Sequence, residues 1–344
     1  MDRTSPTKRF RQVTQEDVAR EVGVSRTLVS FAFRGASGVS DETKLAILDA
    51  AKRLGYRPNA VAADLASKRS STVGLYLLDL SNEIFVDIFS GVSEGLSAAK
   101  NRLILSVSHS RGRVDAGSVE SLIEARVGIV IAATLLDPDE RVRELARSVP
   151  LVCVTRRVEG IDSVYSDDRA AGKAATEHLL GLGHTRIAHM TAASHEGHGE
   201  RLRAYEETMR SAGLIPQIVV AEDYTQEAAE RAAFSFLVAS DRPTAVFAHN
   251  DELALGVRET AHVLGLEVPR DLSLVGHDDS RVAKLHGIDL TSVDLHAIEL
   301  GRAAGVAALE RLANPDLPVI DRKFEPRLVV RGSTAHVGTT SSRR

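Results

Sequence analysis

Residues 13–34 read VTQEDVAREVGVSRTLVSFAFR, and this stretch decides the fold of the first part of the chain. Thr14, followed by acidic residues, predicts a capped helix start, and Gly23 predicts the end of that helix. Ser25 predicts the cap of a second helix that runs to about Phe33. Two short helices joined by a tight turn form a helix-turn-helix, whose second helix fits the DNA major groove. An ordinary helical hairpin has the same spacing and is the alternative.

The second helix carries hydrogen-bond donors at the positions that would face DNA. Arg26 can bond to guanine O6 and N7, and Thr27 can offer its hydroxyl or contact a thymine methyl. Ser25, Ser30 and Arg34 are candidate phosphate contacts, which position a helix without reading the base sequence. The pattern therefore predicts a DNA-reading helix.

A third helix and a short hinge follow. Ser40 predicts the cap of the third helix, and Gly55 predicts its end. Pro58 stops this segment, and Asn59 can cap a short helical stretch before the polar linker at residues 67–71.

Charge is divided unevenly along the chain. Residues 1–70 contain 13 Lys and Arg against 8 Asp and Glu, whereas the 344-residue chain has a formal net charge of −4. A basic head on an acidic body predicts that the head contacts a polyanion.

From Val73 onward, buried strands alternate with amphipathic helices. The eight aliphatic runs that predict strands lie at residues 73–78, 103–107, 128–132, 151–155, 187–190, 218–221, 245–248 and 272–275. Aliphatic runs without alternation are typical of parallel strands covered on both faces. The predicted fold class is α/β: an all-α helix-turn-helix head with a hinge helix, then a two-lobed body. A ligand would bind between the lobes, outside the carboxyl ends of the strands.

The stretch 13–34 and several later motifs resemble the lac-repressor (LacI/GalR) family of transcription regulators. The later motifs lie at residues 54–62, 79–85, 167–170, 176–184, 250–256, 273–279, 290–293 and 326–334. The resemblance implies a body like a periplasmic sugar-binding protein and a protein that regulates transcription rather than an enzyme. It also implies a hinge helix that folds on operator DNA and enters the minor groove. The DNA contacts expected beyond the second helix are Thr14, Asn59, Val61, Ala62 and Leu65, where Leu65 matches a leucine that wedges into the central base step.

Four positions depart from the family pattern. Phe31 stands where many members have arginine, so it either meets a thymine methyl or packs. Asp64, beside the wedge, either pairs with Lys68 or weakens DNA binding. Glu83 replaces a usual proline, and His277 replaces a common tyrosine, so the ligand specificity of other members does not transfer.

The resemblance assigns five side chains to a cleft between the lobes: Phe85, Arg201, Tyr224, Asn250 and Asp278. Their chemistry suits a small polar effector, expected to be a sugar or sugar derivative, with rings that stack on its apolar face. Alternatives exist for three of them. Arg201 could form a surface ion pair with Glu200 or Glu206, Phe85 could belong to the core, and Asp278 could lie in a solvated loop.

The expected domains are a helix-turn-helix domain at residues 1–58, a hinge and linker at 59–71, and an effector-binding and dimerisation domain at 72–336. Within that domain we expect lobe 1 at about 72–160 and 291–320, and lobe 2 at about 161–290 and 321–336. Residues 337–344 form a polar tail.

Other chemistry has weaker support. His184, His189, His195 and His198 lie close in sequence but lack the helical spacing of a zinc site, so we expect no metal and no cofactor. Cys153 lies in an apolar run, which predicts a buried, unreactive thiol. No catalytic motif is recognisable. A solute-binding protein and a sugar-modifying enzyme are the alternative functions; the first should carry an export signal and lack the head.

The sequence thus predicts a cytoplasmic regulator. A single cysteine, a polar N-terminal stretch and the absence of a long apolar run agree with that location and with no membrane contact. We expect a homodimer on a palindromic, double-stranded operator, acting as a repressor, and no coiled-coil tetramer because no leucine heptad follows Thr334.

Overall fold

The computed structural model describes residues 13–57, 70–99, 101–108, 117–192 and 199–338. The chain divides into two compact units, Met1–Ser70 and Ser71–Arg344, here called the head and the body. None of the described helices is both long and apolar enough to cross a lipid bilayer.

The head contains three short helices: α1 (Gln15–Val22), α2 (Arg26–Arg34) and α3 (Asp41–Leu54). Thr14, Ser25 and Ser40 each accept a hydrogen bond from the backbone N–H three residues later, which confirms the predicted caps. Val18, Val29 and Ile47 are fully buried, one from each helix, so apolar packing and capping specify the same helix ends. Helix α2 ends one residue later than predicted.

Lobe 1 of the body is a parallel sheet between two helix layers. Its strands are β1 (Thr72–Leu77), β2 (Arg102–Val107), β3 (Ile129–Ala133), β4 (Leu151–Val154), β5 (Asp162–Ser166) and β11 (Asp321–Phe324). Its helices are α4 (Ile84–Leu96), α5 (Ser118–Glu124), α6 (Asp139–Ser148) and α11 (Ala297–Ala313). The strand order is β11-β5-β4-β3-β1-β2, and all neighbours are parallel.

Lobe 2 repeats this plan. Its strands are β6 (Ile187–Ala192), β7 (Gln217–Ala221), β8 (Ala245–Ala248), β9 (Ser273–His277), β10 (Thr291–Asp294) and β12 (Arg327–Val329). Its helices are α7 (Asp168–Gly181), α8 (Glu200–Ser211), α9 (Gln226–Leu237) and α10 (Asp251–Val263), with a 3₁₀ helix at Val282–Lys284. The order is β12-β10-β9-β8-β6-β7, and only β12 runs antiparallel to its neighbour.

The eight predicted strands are confirmed, and the sheet topology moves the approximate lobe boundaries by a few residues. Strands β5 and β11 belong to the sheet of lobe 1, and β10 belongs to that of lobe 2, so the chain crosses after Ser166, Asp294 and Phe324 rather than after residues 160, 290 and 320. The missed strands are short and mostly polar in sequence, as in the run DRKF of β11. Their place is fixed by pairing with distant strands, which no local pattern records.

Close contact between α4 and α11 positions the lobe 1 side of the cleft. A Cβ added at Gly91 would lie 2.0 Å from the carbonyl oxygen of Ile298, and one at Gly301 would lie 2.2 Å from that of Ile88. The two backbones therefore pack at a distance that only glycine allows. The first turn of α4 and residue Leu300 of α11 both reach the cavity described below.

Candidate functional sites

Helix α2 presents the side chains that the sequence predicted for DNA contact. Arg26 and Thr27 are exposed in its first turn, directly after the capping Ser25. Helices α1 and α3 have acidic residues in their first turns, but α2 has none. Because a helix N-terminus carries partial positive charge, the start of α2 is the most favourable of these three helix ends for an anion such as phosphate.

Phe31 packs against the candidate phosphate contact Arg34. The guanidinium carbon of Arg34 lies 5.3 Å from the centre of the Phe31 ring, and its Nε donates to the carbonyl oxygen of Ser30 at 3.3 Å. This cation–π contact orients an exposed charge on the same helix as Arg26. Phe31 thus contacts Arg34 within the head, and its contact with a thymine methyl stays a prediction.

The remaining predicted DNA contacts are Thr14, which caps α1, and the residues of the predicted hinge. The hydroxyl of Thr14 donates to Asp17 Oδ2 at 2.9 Å and accepts from the Asp17 N–H at 3.3 Å. Its contact with DNA stays a prediction. Residues that lie outside the described ranges are Asn59, Val61, Ala62 and Leu65, together with Asp64 and Lys68.

A cavity of about 280 Å³ lies between the two lobes of the body. All five side chains assigned to the cleft line it: Phe85, Arg201, Tyr224, Asn250 and Asp278. Several lining residues directly follow strands, as Thr134 follows β3, His249 follows β8 and Asp278 follows β9. The cavity therefore lies at the carboxyl ends of both sheets, where ligands bind in open α/β folds.

The two lobes line the cavity with different chemistry. Lobe 1 supplies six apolar side chains, Leu78, Ile84, Phe85, Leu136, Leu295 and Leu300, beside six polar ones, Asp79, Ser81, Asn82, Thr134, Thr155 and Ser166. Lobe 2 supplies a set that contains no aliphatic side chain: Asp168, Arg201, Tyr224, Thr225, Gln226, Glu227, His249, Asn250, Glu252 and Asp278. One wall can exclude water from an apolar surface, and the other can exchange hydrogen bonds with a polar one.

Arg201 is held at the base of the lobe 2 wall. It is only 8% exposed, donates to Asp168 Oδ1 at 2.9 Å through Nη2, and bonds to the carbonyl oxygen of His249 through Nη1. The alternative of a surface ion pair with Glu200 or Glu206 is therefore wrong. Two fixed acceptors pre-orient the guanidinium, which reduces the entropy lost on binding a ligand.

Asp278 combines burial with backbone strain. Its φ of +114° is unusual for a residue with a Cβ, and its side chain is 9% exposed. Burial, together with the nearby carboxylate of Asp251, raises the pKa of Asp278 well above its usual range. Its Oδ2 accepts from Asn82 Nδ2 of lobe 1 at 3.3 Å, while its Oδ1 makes no hydrogen bond to a described residue. It is thus a cleft group and not part of a solvated loop.

The other three predicted residues differ in their surroundings. Asn250 caps α10, because its Oδ1 accepts from the Leu253 N–H at 2.9 Å, so its amide NH₂ is the group left for a ligand. The Tyr224 ring lies 4.9 Å from the His249 ring. Phe85 is 5% exposed and belongs both to the core of lobe 1 and to the cavity wall.

The polar lining residues that were not singled out from the sequence include Asn82, Asp168, His249 and Glu252. Asp168 and Glu252 lie in the first turns of α7 and α10, and His249 directly follows β8. Position at the end of a parallel strand was therefore the signal that could have found His249. His277, by contrast, is fully buried beneath the cleft and does not line it.

Direct contacts join the two lobes beside the cavity. Besides the Asn82–Asp278 bond, Glu83 Oε2 accepts from the backbone N–H groups of Arg281 and Val282 at 3.0 and 3.3 Å. Arg281 also donates to Asp87 Oδ1 at 2.7 Å. The proline usual at the position of Glu83 has no side-chain acceptor, so this departure adds an interlobe contact.

Two of the four clustered histidines, His184 and His189, lie in the described part of the chain, and both contact neighbouring side chains within lobe 2. His184 bonds to Thr244 and Ser273 at 2.9 and 3.0 Å, and His189 is buried against Tyr205. His195 and His198 lie outside the described residues. No group of three or more metal-binding side chains occurs within the described ranges.

Cys153 is buried, as the sequence predicted. Burial raises the pKa of its thiol to about 12. The thiolate that a nucleophile requires is therefore disfavoured at neutral pH.

Comparison with known proteins matches both units. Residues 14–59 match the family model described as bacterial regulatory proteins, lacI family, and residues 176–334 match the periplasmic binding protein-like domain. Catabolite control protein A of Priestia megaterium is 33% identical over 299 residues, covering 85% of this chain and 90% of that protein.

Solved structures agree over nearly the whole length. The lac repressor dimer bound to operator and the anti-inducer ONPF has a TM-score of 0.82 and 26% identity, covering 94% of this chain and all of that one. The transcriptional regulator CelR–cellobiose complex has a TM-score of 0.67 and 27% identity, with the same coverage. These relatives are DNA-binding transcription regulators rather than enzymes. The chain belongs to the lacI family of bacterial regulatory proteins.

Proposed function

We propose that this regulator is a repressor that binds a palindromic operator as a homodimer and is switched by a small polar effector between its lobes. The observation that carries the proposal is the union, in one chain, of an exposed α2 and a cleft whose two walls differ in polarity. Contact with DNA implies a cytoplasmic location.

Operator reading is assigned first to α2. Arg26 and Thr27 would contact base edges, and Ser25, Ser30 and Arg34 would contact phosphates. Thr14 would add a phosphate contact at the start of α1. The hinge residues Asn59, Val61, Ala62 and Leu65 would enter the minor groove, with Leu65 as the wedge.

Dimerisation is assigned to the body. On lobe 1, Val86 and Phe89 of α4 and Leu105 of the edge strand β2 are apolar and more than one-third exposed, which supports an interface there. A two-fold dimer matches a palindrome because each head meets an equivalent half-site.

Effector binding is assigned to Phe85, Arg201, Tyr224, Asn250 and Asp278. The similarity to a cellobiose complex supports a carbohydrate or a derivative of one. An effector that contacts both walls would change the angle between the lobes. That change would alter the spacing of the two hinges and so the population competent to bind DNA.

The test of this function is selection of bound duplexes from a randomised DNA pool, using the full chain at near-physiological salt. We expect enrichment of a palindrome, and we expect Arg26→Ala to lower its affinity by about tenfold or more. Glu42→Ala, at an exposed acidic position in the first turn of α3, is the control. Binding without sequence preference would contradict the proposal.

A further inference from the structure

The cleft is strongly biased in charge. The described residues that line it include five carboxylates, Asp79, Asp168, Glu227, Glu252 and Asp278, but one guanidinium and no lysine. The guanidinium of Arg201 already bonds to Asp168 and to a backbone carbonyl. Little positive charge is therefore left for an anionic ligand.

Glu252 is the lining carboxylate whose surroundings show this excess of acidic groups most clearly. No hydrogen bond or ion pair joins its carboxylate to another described residue, and its side chain is only partly exposed. Burial raises its pKa, and so do the carboxylates of Asp251, Glu83, Asp79 and Glu227. Two of these neighbours, Glu83 and Asp79, belong to the opposite lobe. Acidic groups of both lobes therefore lie close enough to Glu252 to disfavour its charged form.

A second, independent observation comes from the buried groups at the base of the cleft. The side chain of Asp278 is more than nine-tenths buried, and its Oδ1 has no hydrogen-bond donor among the described residues. A buried acceptor in a cavity favours a ligand that brings a donor. On the lobe 1 side Asn82 donates only to the other oxygen, Oδ2, and the lining there combines apolar side chains such as Leu136 and Leu295 with the hydroxyls of Thr134 and Thr155.

We propose that the cleft selects an effector without anionic groups, with one apolar face against lobe 1 and hydroxyl or ammonium donors toward the acidic wall of lobe 2. This inference rests on the proposed effector function and narrows its ligand class. Sugar phosphates, sugar acids and nucleotides are excluded, because each would place a negative charge among the five carboxylates. Uncharged and amine-bearing polyols with an apolar face remain.

The experiment separates ligands by charge without guessing one in advance. A bacterial polar-metabolite extract, filtered to remove polymers, is divided at neutral pH into fractions that an anion exchanger retains and does not retain. Thermal unfolding of the full chain is followed with each fraction. A ligand that binds only the folded protein raises Tm. We expect a rise with the unretained fraction and none with the retained, anionic one.

Charge variants on one helix locate the effect in the cleft. For Glu252→Lys we expect the amount of unretained fraction that gives half the Tm rise to increase about tenfold or more. Glu259→Lys, on an exposed position of α10 outside the cavity, should behave as the wild-type chain.

Three results would overturn the inference, and they are distinguishable. A Tm rise with the retained fraction, alone or beside the other, contradicts selection against anions while leaving the effector function intact. A rise with neither fraction contradicts the effector function itself, on which the inference rests. An equal response of Glu252→Lys and Glu259→Lys to the unretained fraction would contradict the inference that the acidic groups of the cleft select the effector.

Discussion

Lobe 1 and lobe 2 share a strand order but bring different chemistry to the cleft between them. In lobe 1 the order β5-β4-β3-β1-β2 corresponds to β10-β9-β8-β6-β7 in lobe 2. Yet half of the described side chains with which lobe 1 lines the cavity are apolar, whereas none of the described lining side chains of lobe 2 is aliphatic. The residues that follow each strand can change without disturbing the strand core, so one fold supplies a partly apolar wall and a polar wall.

The largest expected effect tests the buried charges of the lobe 2 wall. Arg201→Ala leaves Asp168, itself 19% exposed, without its cationic partner. We expect the free energy of unfolding, measured with urea, to fall by about 3–5 kcal/mol. Arg203→Ala, which breaks an exposed pair with Glu200 on the same helix, should change it by less than about 1 kcal/mol. Equal losses would remove the distinction between a buried network and surface pairs.

The second effect tests the packing that shapes the lobe 1 wall. Gly91→Ala forces α4 away from α11, since the new Cβ meets the Ile298 carbonyl. We expect a loss of about 2–3 kcal/mol in the free energy of unfolding. Gly181→Ala at the end of α7 meets nothing within 4 Å, so it should be neutral or slightly stabilising. A harmless Gly91→Ala would contradict the close helix contact.

The third effect is a pH dependence that arises from the buried histidines of lobe 2. The buried histidines among the described residues, His184, His189 and His277, all lie there. Burial and the charge of Arg201 lower the pKa of His189 to about 3. Below about pH 6.5 His189 binds a proton in the unfolded chain but not in the folded chain. The free energy of unfolding therefore decreases as pH falls.

We therefore expect His189→Phe to reduce the loss of unfolding free energy between pH 7 and pH 5 by about 2 kcal/mol. Phenylalanine keeps the contacts with the rings of Tyr205 and Phe247. His262→Gln, at an exposed position of α10, is the control and should leave the pH profile unchanged. An unaltered profile in His189→Phe would show that this imidazole does not set the acid sensitivity.

The smallest effect concerns the contact between the lobes. Glu83→Ala removes the acceptor of the Arg281 and Val282 amides, and we expect their hydrogen exchange to rise about fivefold. The amide of Asp278, which bonds to the Val293 carbonyl within lobe 2, should exchange as before. Glu94→Ala, whose exposed pair with Arg302 stays within lobe 1, is the matched control variant. Unchanged exchange at Arg281 would argue against a closing contact.

The head could be predicted from sequence because its signals are local. Caps at Thr14, Ser25 and Ser40 act on backbone groups only three residues away, and glycines end the same helices. The body needed more than local signals. Aliphatic runs predicted its eight central strands, but the edge strand β11 is short and polar, and only its pairing with β5 places it in lobe 1.

The cleft shows the same division. The family resemblance assigned Phe85, Arg201 and Asp278 to one cleft, and all three line the cavity. It did not predict the partners that orient them. Asp168, which holds Arg201, and Asn82, which bonds to Asp278, lie 33 and 196 residues away in sequence. The first contact depends on how α7 and α8 pack within lobe 2, and the second on how the two lobes meet; no spacing in the sequence records either.

The central claim is that the cleft and the head are coupled. Its most direct test is the affinity of the full chain for the palindrome enriched by selection, measured by fluorescence anisotropy at fixed salt with and without the unretained metabolite fraction. We predict a change of about tenfold or more in that affinity, which Glu252→Lys diminishes and Glu259→Lys does not. A fraction that raises Tm but leaves operator affinity unchanged would contradict the account.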